Sequence, residues 1–274
     1  MIFDFEPTMK EDEINDKIRA MFRKEAAYFN SSLTSLYQNQ ELAIEQRNRM
    51  LKWSFKLINT NDMPKEVAAV TFSNLDRFLL TKNGYLVIND KKLFQLAAYS
   101  SLSIAIKMLA SRNPHFGNNL SNGLFPSQDI IQMENIITNA LQWKLNPPNI
   151  FSFINFFVEL LHRKCPITDK KYYKHHLFVQ AETALSDMRL LNINPSITAA
   201  ILILDSAEST EHLFCALKSF SEFPFCDGLV KKFKKHRESQ RKQSEKENMK
   251  RDRDEEFTIK EDKIASTKRA RIET

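Results

Sequence analysis

Glycine is unusually scarce in this chain, which has only Gly84, Gly117, Gly123 and Gly228 among its 274 residues. Globular proteins average about 7% glycine, and turn-rich β-sandwiches and phosphate-binding loops depend on it. The chain also has no G-x-G-x-x-G and no Walker sequence, which disfavours a Rossmann fold and a P-loop. Because 42% of the residues are apolar and 27% are charged, the chain can form a real core. The remaining expectation is a mostly helical protein.

Prolines divide the chain into segments with helical periodicity, since a proline is tolerated between helices rather than inside them. Two of these segments, Leu93–Ala110 and Ile197–Leu204, are apolar and small on nearly every side, so each must be surrounded by other helices. We therefore predict an all-α fold of two helical bundles, each wrapped around one of these central helices, with a boundary near Pro147. The predicted helices span residues 11–28, 41–59, 65–80, 91–111, 127–143, 149–163, 171–191, 196–206, 210–220 and 228–237.

The net charge of +6 lies entirely at the end of the chain. Residues 1–230 hold 24 basic and 24 acidic side chains, whereas residues 231–274 hold 16 and 10. Residues 236–274 contain only isolated apolar side chains, which predicts a disordered tail. Acidic residues interleave the basic ones and the body is neutral, so we do not expect nucleic-acid binding. The basic clusters are Lys231, Lys232, Lys234, Lys235 and Arg237, then Lys268, Arg269 and Arg271.

Such clusters are typical of nuclear-import signals, which predicts an importin as a partner and a location in the nucleus as well as the cytoplasm. The alternative is a solubilising tail. The three cysteines cannot all pair and the acidic start has no signal-peptide pattern, so we expect reduced thiols and an intracellular protein. The uncharged stretch 93–106 is shorter than the roughly 20 residues of a membrane span. Zinc-ligand spacings and hydrolase or kinase motifs are missing, so we expect no metal, no cofactor and no enzyme activity.

Two opposite charges fall inside apolar helical stripes. Arg47 lies in the stripe of the segment 41–59, and Asp76 lies in that of the segment 65–80. Successive helices with short connections pack as antiparallel neighbours, so charges on their inner faces can meet. A buried charge is tolerated only with a hydrogen-bonded partner. We therefore predict an Arg47–Asp76 ion pair that fixes the packing of two helices.

Glu134 is a third charge in an apolar stripe, and the sequence has no basic residue between Arg112 and Lys144. Lys107, near the end of the first central helix, is the natural partner. One interpretation is that Lys107 only complements the helix dipole, which is worth about 0.3–1 kcal/mol. The other is that the two side chains form a polar notch at the edge of the bundle that receives backbone groups of a partner. The residue pattern leaves both open.

At these positions the sequence resembles a cyclin. The resemblance is strongest over roughly residues 40–145 and continues more weakly, as a second cyclin fold, from Asn149 to about Lys235. No single segment identifies the family, but the set of segments has the order and spacing of the cyclin box. These segments are Arg47-x-x-Met50-Leu51-x-Trp53, Asn74-Leu75-Asp76-Arg77-Phe78-Leu79, Leu96 through Ile104-Ala105-Ile106-Lys107, Gln132-Met133-Glu134, and Asn139-Ala140-Leu141-x-Trp143.

The resemblance implies two tandem five-helix cyclin folds. The first would span residues 41–146 and the second residues 147–235, followed by the basic tail at 236–274. The N-terminal region, residues 1–40, would carry its helix at 11–28 where many cyclins have a helix that packs on the kinase. The fourth helix of the first fold would be short, squeezed into residues 113–125.

The function that the resemblance implies is a non-catalytic subunit that binds and activates a cyclin-dependent protein kinase as a heterodimer. Lys107 and Glu134 match the pair that hydrogen-bonds to the C-helix region of the kinase. Arg47 and Asp76 match the internal salt bridge of the family, in agreement with the stripe argument. The packing positions of the central helix are Leu96, which matches the central leucine of the family, and Ala105.

A docking groove for substrates or inhibitors that carry Arg-x-Leu motifs is also implied, at Met50, Trp53 and Gln95. An indole that only packs between helices is an equally good interpretation of Trp53. Gln46 stands where the groove usually has Met, and Lys56 replaces the acid that meets the arginine of the motif, so ordinary docking is disfavoured.

The first 40 residues have no Arg-x-x-Leu destruction motif, which favours a G1/S, D-type-like cyclin over a mitotic one. Two other classes stay open: a cyclin-fold scaffold and a transcription-associated protein, neither of which would activate a kinase.

Overall fold

The computed structural model describes residues 10–28, 33–38, 40–110, 124–206 and 215–223, all within one compact unit that spans residues 1–225. These residues contain helices and turns and no β-strand, which confirms the expected all-α class. Several predicted features lie outside the described residues. They are the tail at 236–274, both basic clusters, the helix at 228–237, most of the helix at 113–125 and the start of the helix at 210–220.

The longer described helices follow the predicted order, and two short helices of four residues were not predicted. The described helices are α1 (Glu11–Tyr28), α2 (Leu33–Leu36), α3 (Glu41–Thr60), α4 (Glu66–Leu79), α5 (Lys82–Tyr85), α6 (Lys91–Leu109), α7 (Ser127–Ala140), α8 (Ile150–Lys164), α9 (Lys170–Ser186) and α10 (Pro195–Ser206). None of them is both long and apolar enough to cross a membrane.

Side-chain caps set where several of these helices begin. The Asp90 carboxylate accepts hydrogen bonds from the backbone N–H groups of Lys92 and Leu93 at the start of α6. Asn149 caps α8 and Asp169 caps α9 in the same way. Such caps satisfy backbone donors that have no partner inside the helix, which explains why the starts agree with the sequence pattern.

Two predicted helix ends are wrong. The segment predicted as 127–143 ends at Ala140, because Gln142 and Trp143 turn into the left-handed region with φ of 52° and 60°. The segment predicted as 171–191 ends at Ser186, because Asp187 is extended and caps a separate 3₁₀ turn. Both interruptions occur at residues that do not normally break a helix, so apolar periodicity alone extended each helix too far.

The two central helices are buried as predicted. Ala97, Leu102 and Ala105 of α6 are fully buried, and α6 packs against α3, α4 and α7. Every residue of α10 from Ser196 to Leu204 is buried, and α10 packs against α8 and α9. Each helix therefore forms the centre of one bundle.

The N-terminal helix α1 packs on α8 of the second bundle. Ile14 and Ile18 are fully buried in this contact. Phe22 stacks on Phe153, with ring centroids 5.6 Å apart, and meets Phe220 edge-on at 5.7 Å. Burial of these apolar side chains, worth about 1.5–3 kcal/mol each, fixes α1 to the folded body.

Candidate functional site

The predicted contact between Arg47 of α3 and Asp76 of α4 is present and buried. Arg47 Nε lies 3.0 Å from Asp76 Oδ1, and Nη2 lies 2.8 Å from Oδ2, which gives a two-pronged ion pair. Two further partners were not predicted from the sequence. The Tyr37 hydroxyl donates to Asp76 Oδ1 at 2.6 Å, and Arg47 Nη1 donates to the backbone oxygen of Leu185 at 3.0 Å.

This network keeps its charges because each one has a partner. Burial alone lowers the pKa of Arg47, but the Asp76 carboxylate outweighs that effect and holds the pKa above its ordinary value. Burial, followed by the negative charge of Asp76, raises the pKa of Tyr37 well above its ordinary value. Arg47 is therefore charged and Tyr37 neutral at physiological pH. Tyr37 and Arg47 both bond to Asp76, so the network is structural rather than open to a ligand.

A cavity of about 130 Å³ lies beside this network, with Phe72 and Pro147 among its walls. Each charged residue that lines it has a hydrogen-bond or ion-pair partner; these residues are Glu25, Arg47, Asp76, Arg77 and Asp187. The cavity therefore offers apolar packing space rather than reactive groups. The described part of the chain has no cluster of His, Cys, Asp and Glu that could hold a metal ion.

Lys107 and Glu134 meet at the surface between α6 and α7. Lys107 Nζ lies 2.7 Å from both carboxylate oxygens of Glu134. The Lys107 side chain is 42% exposed and that of Glu134 is 12% exposed. The Lys107 ammonium is open to solvent, and an ion pair screened in this way at a protein surface contributes only about 0–1 kcal/mol to stability. The position of Glu134 among apolar neighbours is therefore not explained by a stabilising role of the pair.

This pair retains hydrogen-bonding capacity. An ammonium group has three N–H donors, of which Glu134 takes two, and a carboxylate has about four lone-pair sites. The two side chains can therefore bind each other and, at the same time, an acceptor and a donor of another molecule.

Exposed apolar side chains accompany the pair, and the sequence reasoning did not single them out as site residues. Met108, next to Lys107, is 41% exposed, and Ile131, one turn before Glu134, is 46% exposed. Trp143, just beyond the end of α7, is 73% exposed. A polar pair beside exposed apolar and aromatic residues is typical of a protein–protein interface. The sequence feature that could have indicated them is the excess of apolar residues in α7, because these residues cannot all face the core.

The three residues of the predicted docking groove lie on α3 and α6. Met50 is buried, Trp53 is half-buried, and the Trp53 ring meets Tyr99 of α6 edge-on with centroids 4.8 Å apart. Gln95 is half-buried one turn before Tyr99, and Lys56 is exposed one turn after Trp53. The indole thus packs between two helices and keeps part of its surface accessible.

The remaining predicted packing residues lie inside the first bundle. Leu96 is buried and Ala105 is fully buried, both on α6. Gln46 of α3 is also buried, and its side-chain oxygen Oε1 has no hydrogen-bond partner within the described residues.

The family model of the cyclin N-terminal domain matches residues 16–146. The G1/S-specific cyclin-E1 of Gallus gallus is 27% identical over 150 residues, which cover 54% of this chain and 36% of that protein. The G2/mitotic-specific cyclin-2 of Medicago sativa is 24% identical over 195 residues, which cover 70% of this chain and 56% of that protein.

A solved structure shows the same fold. The X-ray structure of a viral cyclin from herpesvirus saimiri superposes with a TM-score of 0.50 at 19% identity, over 65% of this chain and 82% of the viral chain. The first two relatives are themselves longer proteins, of which this chain matches about a third in one case and just over half in the other.

Proposed function

This chain is a cyclin-box protein, and we propose that it binds and activates a cyclin-dependent protein kinase as a regulatory subunit without catalytic activity of its own. The observation that carries this proposal is the exposed Lys107–Glu134 pair at the edge between α6 and α7. It combines spare hydrogen-bonding capacity with adjacent exposed apolar side chains at Met108 and Ile131. A kinase helix with free backbone groups at its end fits such a surface.

Activation would follow from selective binding of one kinase conformation. A kinase is active when the Glu of its C-helix pairs with the strand lysine that holds the ATP phosphates. A partner that binds the inward-rotated C-helix better than the outward one shifts the equilibrium toward the active state. Lys107 and Glu134 would supply this preference by bonding backbone groups that reach them only in the inward position.

The test is a co-purification with candidate cyclin-dependent kinases, followed by phosphorylation of a histone or peptide substrate. The double variant Lys107→Ala/Glu134→Ala removes the pair. We expect its kinase affinity to fall about 30-fold or more, because losing charged hydrogen bonds at an interface costs about 2–5 kcal/mol.

The matched control removes another exposed ion pair, in which Arg49 Nη2 lies 2.6 Å from Glu45 Oε1 on α3. The variant Arg49→Ala/Glu45→Ala should bind and activate the kinase like the wild type, and circular dichroism should show that both variants are folded. Full activity of the Lys107→Ala/Glu134→Ala variant would contradict the proposal. That result would show that activation does not depend on this pair, whereas no binding to any candidate kinase would favour the cyclin-fold scaffold or transcription-associated protein instead.

We further propose that kinase substrates or inhibitors dock at Met50, Trp53 and Gln95. The accessible part of the Trp53 indole supports this, since half-buried aromatic residues often anchor peptides. The exposed Lys56 ammonium lies one helical turn away and would repel an arginine of the peptide. A groove of this kind would select peptides without a cation at that position.

Two further proposals concern the stage of the cell cycle at which the protein acts and its location in the cell. A role at the G1/S transition is supported by the likeness to a protein named as a G1/S-specific cyclin, although another relative is named as G2/mitotic-specific. The abundance of the protein in synchronised cells tests this role. Nuclear import by an importin is supported by the two Lys/Arg clusters in the sequence. Imaging of a fluorescent fusion with both clusters changed to alanine tests it.

A further inference from the structure

The chain just after α7 adopts an unusual backbone conformation. Gln142 and Trp143 both have positive φ, of 52° and 60°. Trp143 N–H donates to the Thr138 oxygen at 2.9 Å, and Gln142 N–H donates to the Asn139 oxygen at 3.1 Å. These two bonds form a Schellman motif, in which the first left-handed position is usually glycine. Two consecutive left-handed residues with large side chains persist only where the surrounding structure holds them.

Two side chains of α4 hold this segment from the other side. Asn74 is fully buried, and its side-chain amide donates to the backbone oxygen of Leu145 at 2.8 Å. Arg77 Nη2 donates to the backbone oxygen of Lys144 at 2.7 Å. Arg77 Nη1 also donates to Asn74 Oδ1 at 3.2 Å, so the two side chains act as one unit. The backbone that follows Trp143 is therefore fixed to α4.

Arg77 is itself fixed by the N-terminal helix. Its guanidinium lies over the ring of Tyr28, 4.7 Å from the ring centroid, and Tyr28 is the last residue of α1. A guanidinium stacked on an aromatic ring loses less freedom when it forms hydrogen bonds. The docked α1 helix thus contributes to holding the segment after α7.

The result of this arrangement is an exposed tryptophan. The Trp143 side chain is 73% exposed, although an indole has a large apolar surface that would otherwise be buried. Tryptophan is among the residues most enriched at the energetic centres of protein interfaces. Trp143 follows the same helix that carries Glu134, so a partner that contacts both would lie along α7.

We propose that Asn74 and Arg77 are positioning residues, which fix the strained segment after α7 so that Trp143 is presented to the kinase. This inference rests on the proposed function, but its first part concerns the free protein. Without Arg77, the carbonyl of Lys144 loses its donor and the segment relaxes. The Trp143 indole then samples many orientations, and its contact with the kinase weakens.

The experiment measures the fluorescence anisotropy of Trp143. Trp53 and Trp143 are the two tryptophans of the chain, so in the variant Trp53→Phe the fluorescence comes from Trp143 alone. In this background Arg77→Ala should lower the fluorescence anisotropy of Trp143 in the free protein. The control Arg49→Ala removes an exposed arginine of α3 and should leave the anisotropy unchanged. Unchanged anisotropy in Arg77→Ala would overturn the proposal whatever the kinase result.

Kinase affinity supplies the second measurement, on the full chain with a purified candidate kinase. Trp143→Ala and Arg77→Ala should each weaken binding about tenfold, and the double variant should be no weaker than either one. A merely structural role of Arg77 would give additive losses instead. Gln142→Gly relieves the strain, so it should restore part of the affinity in the Arg77→Ala background.

The outcomes separate the two proposals. If the wild type binds a kinase through Lys107 and Glu134 but Trp143→Ala binds equally well, the positioning proposal is overturned and the proposed function stands. If the wild type binds no kinase, the presentation to a kinase is overturned together with the proposed function, and the anisotropy still decides whether Arg77 holds the segment.

Discussion

Arg47 joins three parts of the molecule through one side chain. Its guanidinium binds Asp76 of α4 and the backbone oxygen at the end of α9, while Asp76 in turn accepts a hydrogen bond from Tyr37. A buried pair of this kind adds little stability compared with an apolar pair, but removing one partner leaves an uncompensated charge. The loss of Arg47 should therefore destabilise the fold mainly through the unpaired Asp76 carboxylate that it leaves, and less through the loss of the hydrogen bonds themselves.

The variant Arg47→Ala should lower the free energy of unfolding by about 3–5 kcal/mol, because the buried Asp76 carboxylate would lose its partner. Urea denaturation followed by circular dichroism measures the change. The control Arg49→Ala lies on the same helix but is exposed, and it should change stability by no more than about 0.5 kcal/mol. A loss in Arg47→Ala as small as that of the control would show that Asp76 is not buried as described.

Two of the four residues in this network could be predicted from the sequence. Arg47 and Asp76 could be found because a charge in an apolar stripe violates the helical pattern, and opposite charges on neighbouring helices suggest each other. The contributions of Tyr37 and Leu185 could not be found in this way. A tyrosine hydroxyl violates no pattern, and Leu185 contributes a backbone oxygen, which every residue has.

At the scale of whole elements, α1 is attached to the second bundle by a carboxylate. Glu25 is buried and accepts hydrogen bonds from the backbone N–H of Ser196 at 2.8 Å and from its hydroxyl at 2.6 Å. Ser196 lies in the first turn of α10, where backbone donors lack partners and negative charge is favoured. One helix therefore caps another across a distance of 171 residues in the sequence.

This contact predicts a pH dependence of stability. Burial raises the pKa of Glu25 above its ordinary value of 4.5, and the bonds from Ser196 only partly oppose that effect. The folded protein therefore binds the proton more tightly than the unfolded chain. The contribution of Glu25 to stability is fully present below the pKa that its carboxyl has in the unfolded chain. It is lost as the pH rises through the pKa that the carboxyl has in the folded protein.

The variant Glu25→Gln cannot titrate but keeps an oxygen and an N–H group for Ser196. The free energy of unfolding of Glu25→Gln minus that of the wild type should therefore increase between about pH 4 and pH 8. Urea unfolding at several pH values measures this difference. Glu66, a half-buried carboxyl with a raised pKa, is present in both proteins, so its effect cancels. Parallel pH profiles for the two proteins would contradict the prediction.

Most helices could be predicted because they are amphipathic and because caps such as Asp90 and Asn149 stand at their starts. The end of α7 could not, because its left-handed turn is formed by Gln142 and Trp143 without glycine. The contact of Lys107 with Glu134 followed from a charge that lacked a nearby partner. The exposure of Trp143 did not, because it depends on bonds from Asn74 and Arg77, which lie far away in the sequence.

At the scale of the whole described body, several contacts join the first bundle to the second. The Asn155 amide donates to Glu66 at 3.1 Å, and Lys65 forms an ion pair with Glu182. Phe55 of α3 meets Phe151 of α8 edge-on at 6.4 Å. The Arg47 bond to the end of α9 adds a buried polar link. The two bundles therefore share one continuous set of apolar and polar contacts.

These contacts predict that the two bundles unfold together. Trp53 and Trp143 both lie within residues 41–146, so their fluorescence reports on the first bundle, whereas circular dichroism at 222 nm reports on the helices of both bundles. The urea transitions from the two signals should coincide, as expected for a two-state protein. A dichroism transition in two steps, of which only one matches the fluorescence, would instead show that each bundle is an independent domain.

The central helix α6, whose middle is buried, has one more consequence, for the evolution of the sequence. Its inner positions are held by small side chains, among them Ala97, Ser100, Ser101 and Ala105. Replacing such a residue by a larger one overpacks a core that has no spare volume, and there is little side chain to remove. A substitution is therefore expected to be harmful at the buried positions of α6, which occupy most of the helix from Phe94 to Ile106, whereas α9 has exposed positions that accept change. The gene can therefore vary at many surface positions of this protein, but few substitutions are expected to be neutral in the codons for the buried positions of α6.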